Sequence, residues 1–108
     1  MNSQPDWYSV RCVLGRVGDV TTYEERITLW RAADFDEAIL LAEAEATEHA
    51  SVVESQYLGL AQVCKLFDGI QHGAEIFSLM RDSSLSPDDY LDRFFDAGAE
   101  RQSAVGGD

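Results

Sequence analysis

Two runs of alternating apolar and polar residues, joined at Gly18-Asp19 within residues 7–32, restrict the fold of this chain more than any other feature. A glycine-aspartate pair between alternating segments is typical of a two-residue β-hairpin loop, because glycine supplies the positive φ that such turns require. A two-residue loop here places Val17 opposite Val20 and fixes the register of both strands. The sequence therefore predicts an antiparallel hairpin at the start of the fold.

That register predicts two unlike faces. One face is apolar and requires a core, and its pairs are Tyr8 with Leu29, Val10 with Ile27, and Leu14 with Tyr23. The other face is amphipathic, and its pairs are Trp7 with Trp30, Ser9 with Thr28, Arg11 with Arg26, and Val13 with Glu24.

The rest of the chain repeats this plan. Asp34 and Glu37 form a capping box that starts a helix running to about residue 50, and residues 57–67 alternate as a third strand. A two-residue loop at Asp68-Gly69, or a longer loop over residues 68–73, predicts a turn into a fourth strand that ends near Arg81. Ser86-Pro87 predicts the start of a second helix. We therefore expect an α+β fold of order ββαββα, in which two helices pack on one face of a four-stranded sheet.

Chain length and composition favour one globular domain. The chain has 108 residues, of which 45% are hydrophobic, and this content is far from that of disordered proteins. We expect a single domain over residues 1–108, with an ordered core over about residues 6–101 and a disordered tail over residues 102–108.

The charge balance restricts the partners. Twenty acidic residues against eight basic ones give a net charge of −12, which repels nucleic acid and anionic membranes and suits a basic protein. The first residues have no basic and apolar leader, and no apolar run is long enough to span a membrane. We expect a cytoplasmic protein that binds neither nucleic acid nor membrane.

No motif indicates catalysis or a cofactor. The two histidines and two cysteines, His49, His72, Cys12 and Cys64, are scattered over the chain rather than set at metal-ligand spacing. Nucleophile motifs and glycine-rich phosphate loops are lacking too. We expect no cofactor and no enzymatic activity, with both cysteines reduced, although a disulfide stays open if both thiols share one sheet face.

Five segments and the last helix resemble a family of small bacterial domains of about 100 residues to which no function is assigned. The segments are residues 7–11 (WYSVR), 23–30 (YEERITLW), 57–61 (YLGLA), 66–68 (LFD) and 75–79 (EIFSL), and the helix is residues 90–101. The resemblance implies one small domain and no particular chemistry.

The amphipathic outer face is the strongest candidate site. We expect the helices to cover the opposite face, which leaves this one with a predicted interface of Trp7, Arg11, Val13, Arg26, Trp30, Tyr57, Val63, Ile76 and Met80. Exposed apolar patches mark partner or ligand surfaces, and Trp, Tyr and Arg are enriched in hot spots. The sequence favours a non-enzymatic interaction module that homodimerises through this face.

Two alternatives remain open. The first is a small-ligand site formed by Trp7, Trp30, Arg11 and Arg26. The second is an acidic inhibitor or immunity-type protein that binds a basic partner through its first helix, with the acidic side chains Asp36, Glu37, Glu43, Glu45 and Glu48.

Overall fold

The computed structural model describes residues 4–95 and 97–102 and has an α+β architecture. The elements follow the order β1 (Asp6–Arg16), β2 (Thr22–Ala32), α1 (Phe35–Val52), β3 (Gln56–Lys65) and α2 (Pro87–Phe94). The chain divides into two compact units, Met1–Ser78 and Leu79–Asp108. The first unit contains the sheet and α1, and the second contains α2.

The hairpin forms as predicted, but its loop is longer and its register differs by one residue. Arg16 pairs with Thr22, so five residues connect the strands, and Val17 and Val20 are exposed in the loop instead of paired. Tyr8 consequently lies opposite Trp30, not opposite Leu29. A slip of one residue moves every side chain of a strand to the other face. The predicted faces are therefore wrong for β2.

The sheet has three antiparallel strands in the order β2-β1-β3 among the described residues. β3 has an irregularity, because Cys12 pairs with Ala61 while Leu14 pairs with Tyr57, which leaves two extra residues on β3. Gly59 lies in this bulge with φ at 85°, a conformation that glycine adopts without strain.

The predicted fourth strand does not form, so the ββαββα order is wrong and the observed order is ββαβα. Two successive turns follow β3, closed by hydrogen bonds from Gly69 N to Leu66 O and from Ala74 N to Gln71 O. A two-residue hairpin would hold the next segment beside β3, whereas two turns over nine residues do not set such a register. Residues 75–81 consequently have no regular secondary structure.

Helix α1 begins and ends on local signals. The Asp34 side chain accepts a hydrogen bond from Glu37 N, and Glu37 Oε1 accepts one from Ala33 N, which confirms the predicted start. At the other end Glu54 takes a left-handed φ of 58°, and Ser55 N donates to Ala50 O. This Schellman-type ending reverses the chain and brings β3 back along the sheet.

Four alanines at a spacing of four residues form the buried side of α1: Ala38, Ala42, Ala46 and Ala50. Residues four apart share one side of a helix, and the small methyl groups let the backbone approach the sheet closely. Under them lies the buried side of the central strand, which consists of Tyr8, Val10, Cys12 and Leu14. The core is therefore a narrow layer between α1 and β1.

The second unit contains α2, whose start agrees with the prediction. Ser86 Oγ accepts a hydrogen bond from Asp89 N, and Pro87 occupies the first turn. None of the residues of α2 is buried. Within this unit Arg81 donates to Tyr90 Oη and lies 4.4 Å from the centre of the Phe94 ring.

The predicted disordered tail begins at residue 102, and all but its first residue lie outside the described residues. Of the described helices, neither is long and apolar enough to cross a membrane.

Candidate functional site

The face of the sheet that packs against α1, which we call the covered face, is closed by polar contacts on both sides of the alanine stripe. Glu45 and His49 each precede a stripe alanine by one residue, and they lie over β2. Glu43 follows a stripe alanine and lies over β3. One residue corresponds to about 100° around a helix, so the two sets project to opposite sides.

Over β2, Arg26 forms a bidentate pair with Glu45, with nitrogen–oxygen distances of 2.9 and 3.1 Å. Hydrogen bonds from Arg26 lower the pKa of the Glu45 carboxyl, and the burial of that carboxyl offsets part of this effect. One turn further along, His49 Nε2 lies 3.4 Å from Glu24 Oε1. The polar side chains of β2 thus meet the polar flank of α1.

Over β3, Tyr57 Oη donates to Glu43 Oε2 at 2.6 Å, close to the buried Cys12 thiol. Burial, together with the hydrogen bond to Glu43, raises the pKa of the Tyr57 hydroxyl well above its usual range. Burial also raises the pKa of the Cys12 thiol. Both shifts favour the neutral forms of the two groups.

The opposite face, which we call the open face, carries an apolar surface. Tyr23, Ile27 and Leu29 of β2 and Leu58 and Leu60 of β3 are between 40% and 65% exposed. The strand register places them on one face. The space beside Gly15 shows this directly, since a Cβ atom added there would lie 3.4 Å from both Leu58 and Tyr23. Five large apolar side chains on one exposed sheet face form an unusual surface for a protein without partners.

The polar group at the centre of the open face is already paired. Arg11 donates from Nε and Nη2 to Gln62 Oε1, and its Nη1 lies 3.5 Å from Glu25 Oε1. The Phe77 ring lies over the guanidinium, with its centre 5.1 Å away. Beside it, Ser9 is fully buried, and its hydroxyl has no hydrogen-bond partner among the described residues. Arg11 is therefore not a free cation.

The structure separates the predicted interface residues. Trp7, Arg11 and Val13 lie on the open face, as expected for β1. The predicted faces are wrong for the other two strands, because the covered face holds Arg26, Trp30, Tyr57 and Val63. Ile76 is 49% exposed in the segment after β3, and Met80 is exposed in the second unit. The use of these residues as an interface stays a prediction.

This arrangement corrects the predicted ligand site as well. Trp7 and Arg11 lie on one face, whereas Trp30 and Arg26 lie on the other, so the four do not converge. Each arginine is also engaged, Arg11 by Gln62 and Arg26 by Glu45.

The two cysteines also lie on opposite faces of the sheet. Both are free, so they form no disulfide with each other.

Sequence reasoning missed the residues that form the open face, since it paired Ile27 and Leu29 with the buried side of β1 and expected the helices to cover that side. The signal that could have found them is the alanine stripe of α1. The small alanine methyl groups can cover β1 but not the large apolar side chains of the two flanking strands. The acidic residues beside the stripe instead bind Arg26 of β2 and Tyr57 of β3.

Other concave or ligand-like features are weak. A shallow hollow of about 420 Å³ lies where α1 meets β3, lined by Thr47, Ala50, Ser51, Ser55, Gln56 and Tyr57. Over residues 4–95 and 97–102, no three side chains of His, Cys, Asp or Glu are grouped so that they could hold a metal ion.

Comparison of the chain with protein-family models, with curated proteins and with solved structures gave no match.

Proposed function

We propose that this protein is a non-enzymatic interaction module that homodimerises by stacking the open faces of two copies. The observation that carries the proposal is the set of large apolar side chains on the open face, each at least 40% exposed. The Phe77 ring already lies over Arg11 at the centre of this face, and around it a second copy would remove the exposed apolar side chains from water. Burial of apolar surface is the main favourable contribution to association.

The distribution of charge supports a second copy as the partner. The open face carries Arg11, Glu25 and Arg31, so it lacks the large negative charge of the chain as a whole. The acidic residues of α1 belong to the opposite side of the sheet. In a face-to-face dimer both sheets lie between the two helices. The distance between the helices therefore exceeds the Debye length of about 8 Å at physiological salt. Repulsion between the two acidic helices is therefore screened.

The central arginine supports the proposal too. A buried charge without a partner opposes association strongly, but Arg11 brings its partners Gln62 and Glu25 with it. An apolar surface with a paired arginine near its centre is typical of protein interfaces.

The test is the molar mass in light scattering, measured for the wild type and two variants. We expect the wild type at high micromolar concentration to have at least twice the 12.0 kDa of one chain. Leu60→Glu places a charge on the open face and should lower that mass. Val52→Glu adds the same charge at the exposed end of α1 and should not. A wild type of one-chain mass, or equal masses for both variants, contradicts the proposal.

A basic protein partner is the second candidate, carried by the exposed acids Asp36, Glu37 and Glu48 of α1 and by the net charge. The structure weakens it, because Glu43 and Glu45 of the proposed surface point to Tyr57 and Arg26. Salt separates the two proposals. An electrostatic complex weakens as salt rises, whereas apolar stacking does not.

The proposed compartment is the cytoplasm. The support for it is the low cysteine content of the chain, two residues with no disulfide between them.

A further inference from the structure

We propose a second contact, in which the β2 strands of two copies pair antiparallel about a two-fold axis at Thr28 and join two sheets into one of six strands. The contact uses a sheet edge, whereas the proposed function uses a sheet face. The inference therefore does not rest on the proposed function, and both contacts can coexist.

The two edges of the sheet differ in how they are protected. Proteins block exposed edges with bulges, prolines, lysines or very short strands. The β3 edge has a bulge at Gly59 and a lysine at Lys65. The β2 edge is 11 residues long, with a register to β1 that has no irregularity, and it contains no proline, glycine or lysine. Its charged residues carry both signs, and the two on the covered face, Glu24 and Arg26, are already paired with α1.

The backbone of the β2 edge is also unpaired in the described part of the chain. β2 pairs with β1 on one side, and no backbone hydrogen bond of another described segment reaches it. Unpaired N–H and C=O groups along a regular strand form a template for another strand. The occupant must be an extended chain, and the sequence of β2 indicates which one.

β2 is complementary to itself in one register. A continuous sheet with both helices on the same side requires that paired residues share a face, so only registers centred on a residue are allowed. With the axis at Thr28, Ile27 lies opposite Leu29 of the second copy, and Glu25 lies opposite Arg31 of the second copy. By symmetry each pair occurs twice. The open face then has two apolar pairs at its centre and two opposite-charge pairs outside them.

The neighbouring registers lack this match. An axis at Arg26 places the two Arg26 side chains opposite one another, and like charges directly opposite destabilise a sheet. An axis at Ile27 places Glu25 opposite Leu29 and leaves Arg31 opposite Tyr23, and an axis at Leu29 places Ile27 opposite Arg31. Glu25 and Arg31 are exposed, so their pairing adds little to the free energy of association. Its main effect is to favour this register over the others.

Disulfide trapping tests the register directly. Directly opposite residues of an antiparallel pair have Cα atoms about 4.5–5.5 Å apart, which suits a disulfide. We expect Thr28→Cys, in a Cys64→Ser background that retains the buried Cys12, to give a covalent dimer as the main species under mild oxidation. Thr22→Cys is the matched control, because it changes the same residue type on the same side of β2. In this register the two positions 22 lie about 40 Å apart along the strands, so it should remain monomeric on a denaturing gel.

Equal cross-linking of the two variants, or none at Thr28→Cys with a native circular dichroism spectrum, overturns the proposal. The same experiment with Leu60→Glu added separates the two contacts. A cross-link that persists there supports the edge contact whether or not the open faces stack.

Charge reversal supplies a second test. Arg31→Glu places a glutamate opposite Glu25 of the other copy in both symmetry-related pairs, and Glu25→Arg gives the mirror case with arginines. Each variant alone should lose most of the Thr28→Cys cross-link, and an equimolar mixture of the two should restore it. Arg16→Glu makes the same charge change outside β2 and should leave the cross-link intact. A mixture that does not exceed either variant alone contradicts the register.

Discussion

The two faces of this sheet are formed by the same three strands, yet one is closed by a helix and the other carries exposed leucines. On the covered face, small alanines over β1 are flanked by polar contacts to Arg26 and Tyr57. On the open face, large apolar residues such as Leu29 and Leu60 are half exposed. Polar side chains thus close a sheet face when the helix over it has acids on its flanks, and the large apolar side chains of the other face stay partly exposed.

The largest expected effect comes from truncating a leucine on each face. Leu14 is fully buried beneath α1, so Leu14→Ala should lower the free energy of unfolding by about 2–5 kcal/mol through lost burial and a residual cavity. Leu60→Ala makes the same change on the open face and should cost less than about 1 kcal/mol. Urea denaturation at the lowest workable concentration, where association contributes least, measures both. Equal losses would mean that the open face is part of the folded core.

The next effect comes from enlarging an alanine of α1. Ala46 is buried against the sheet, so Ala46→Leu should destabilise the fold by about 1–3 kcal/mol because no space exists for the added atoms. Ala44→Leu places the same side chain on the exposed side of the helix and should leave stability within about 0.5 kcal/mol. Thermal melts of the two variants provide the comparison. A stable Ala46→Leu variant would contradict close packing of α1 on β1.

Tyr57→Phe tests the polar flank over β3. The loss of the hydrogen bond to Glu43 should cost about 1–2 kcal/mol at neutral pH. The pKa of Tyr57 is raised in the folded state, so the unfolded chain loses the proton first, near the ordinary value of 10.0. The contribution of Tyr57 is therefore complete below that pH and decreases as the pH rises. Denaturation in alkaline buffer should show a steeper decline for the wild type than for Tyr57→Phe.

Glu45→Gln tests the flank over β2 and should have the smallest effect, about 0.5–1 kcal/mol at neutral pH, since the pair with Arg26 is partly exposed to solvent. The pKa of Glu45 is lowered in the folded state, so its contribution is present above the ordinary value of 4.5 and is lost as the pH falls through the folded pKa. Denaturation of Glu45→Gln and the wild type should converge in acid. Glu48→Gln, on the exposed side of α1, should match the wild type throughout.

Much of the fold could be predicted because the signals are local. The capping residues Asp34 and Ser86 and the alternation of β1 each depend on a few neighbouring side chains. The faces of β2 could not be predicted, because they depend on whether the hairpin loop has two residues or five. Gly18-Asp19 favours the loop of two residues. The loop of five residues places Arg26 on the covered face, where it pairs with Glu45, a contact 19 residues away in the sequence.

The sequence predicted that one face of the sheet would be an amphipathic surface, but it did not predict which residues of β2 and β3 form that surface. An amphipathic outer face follows from the alternation itself, and its β1 members Trp7, Arg11 and Val13 are placed correctly. Tyr57 and Val63 of β3 lie on the covered face instead, and the bulge at Gly59 does not explain this, because its two extra residues leave the phase of the strand unchanged. Residues 57–63 have apolar side chains at both odd and even positions, so their sequence does not indicate which side of the strand is buried.

The two tryptophans provide the most direct test of the claim that a second copy covers the open face. Trp7 lies on the open face and Trp30 on the covered face, so Trp30→Phe and Trp7→Phe each leave one reporter. We predict that acrylamide quenching of Trp7 increases on dilution from micromolar to nanomolar concentration, as stacked faces separate, and that quenching of Trp30, which packs against the core, changes less. Constant quenching of Trp7 over the whole range, with a mass of one chain at every concentration, would contradict the account.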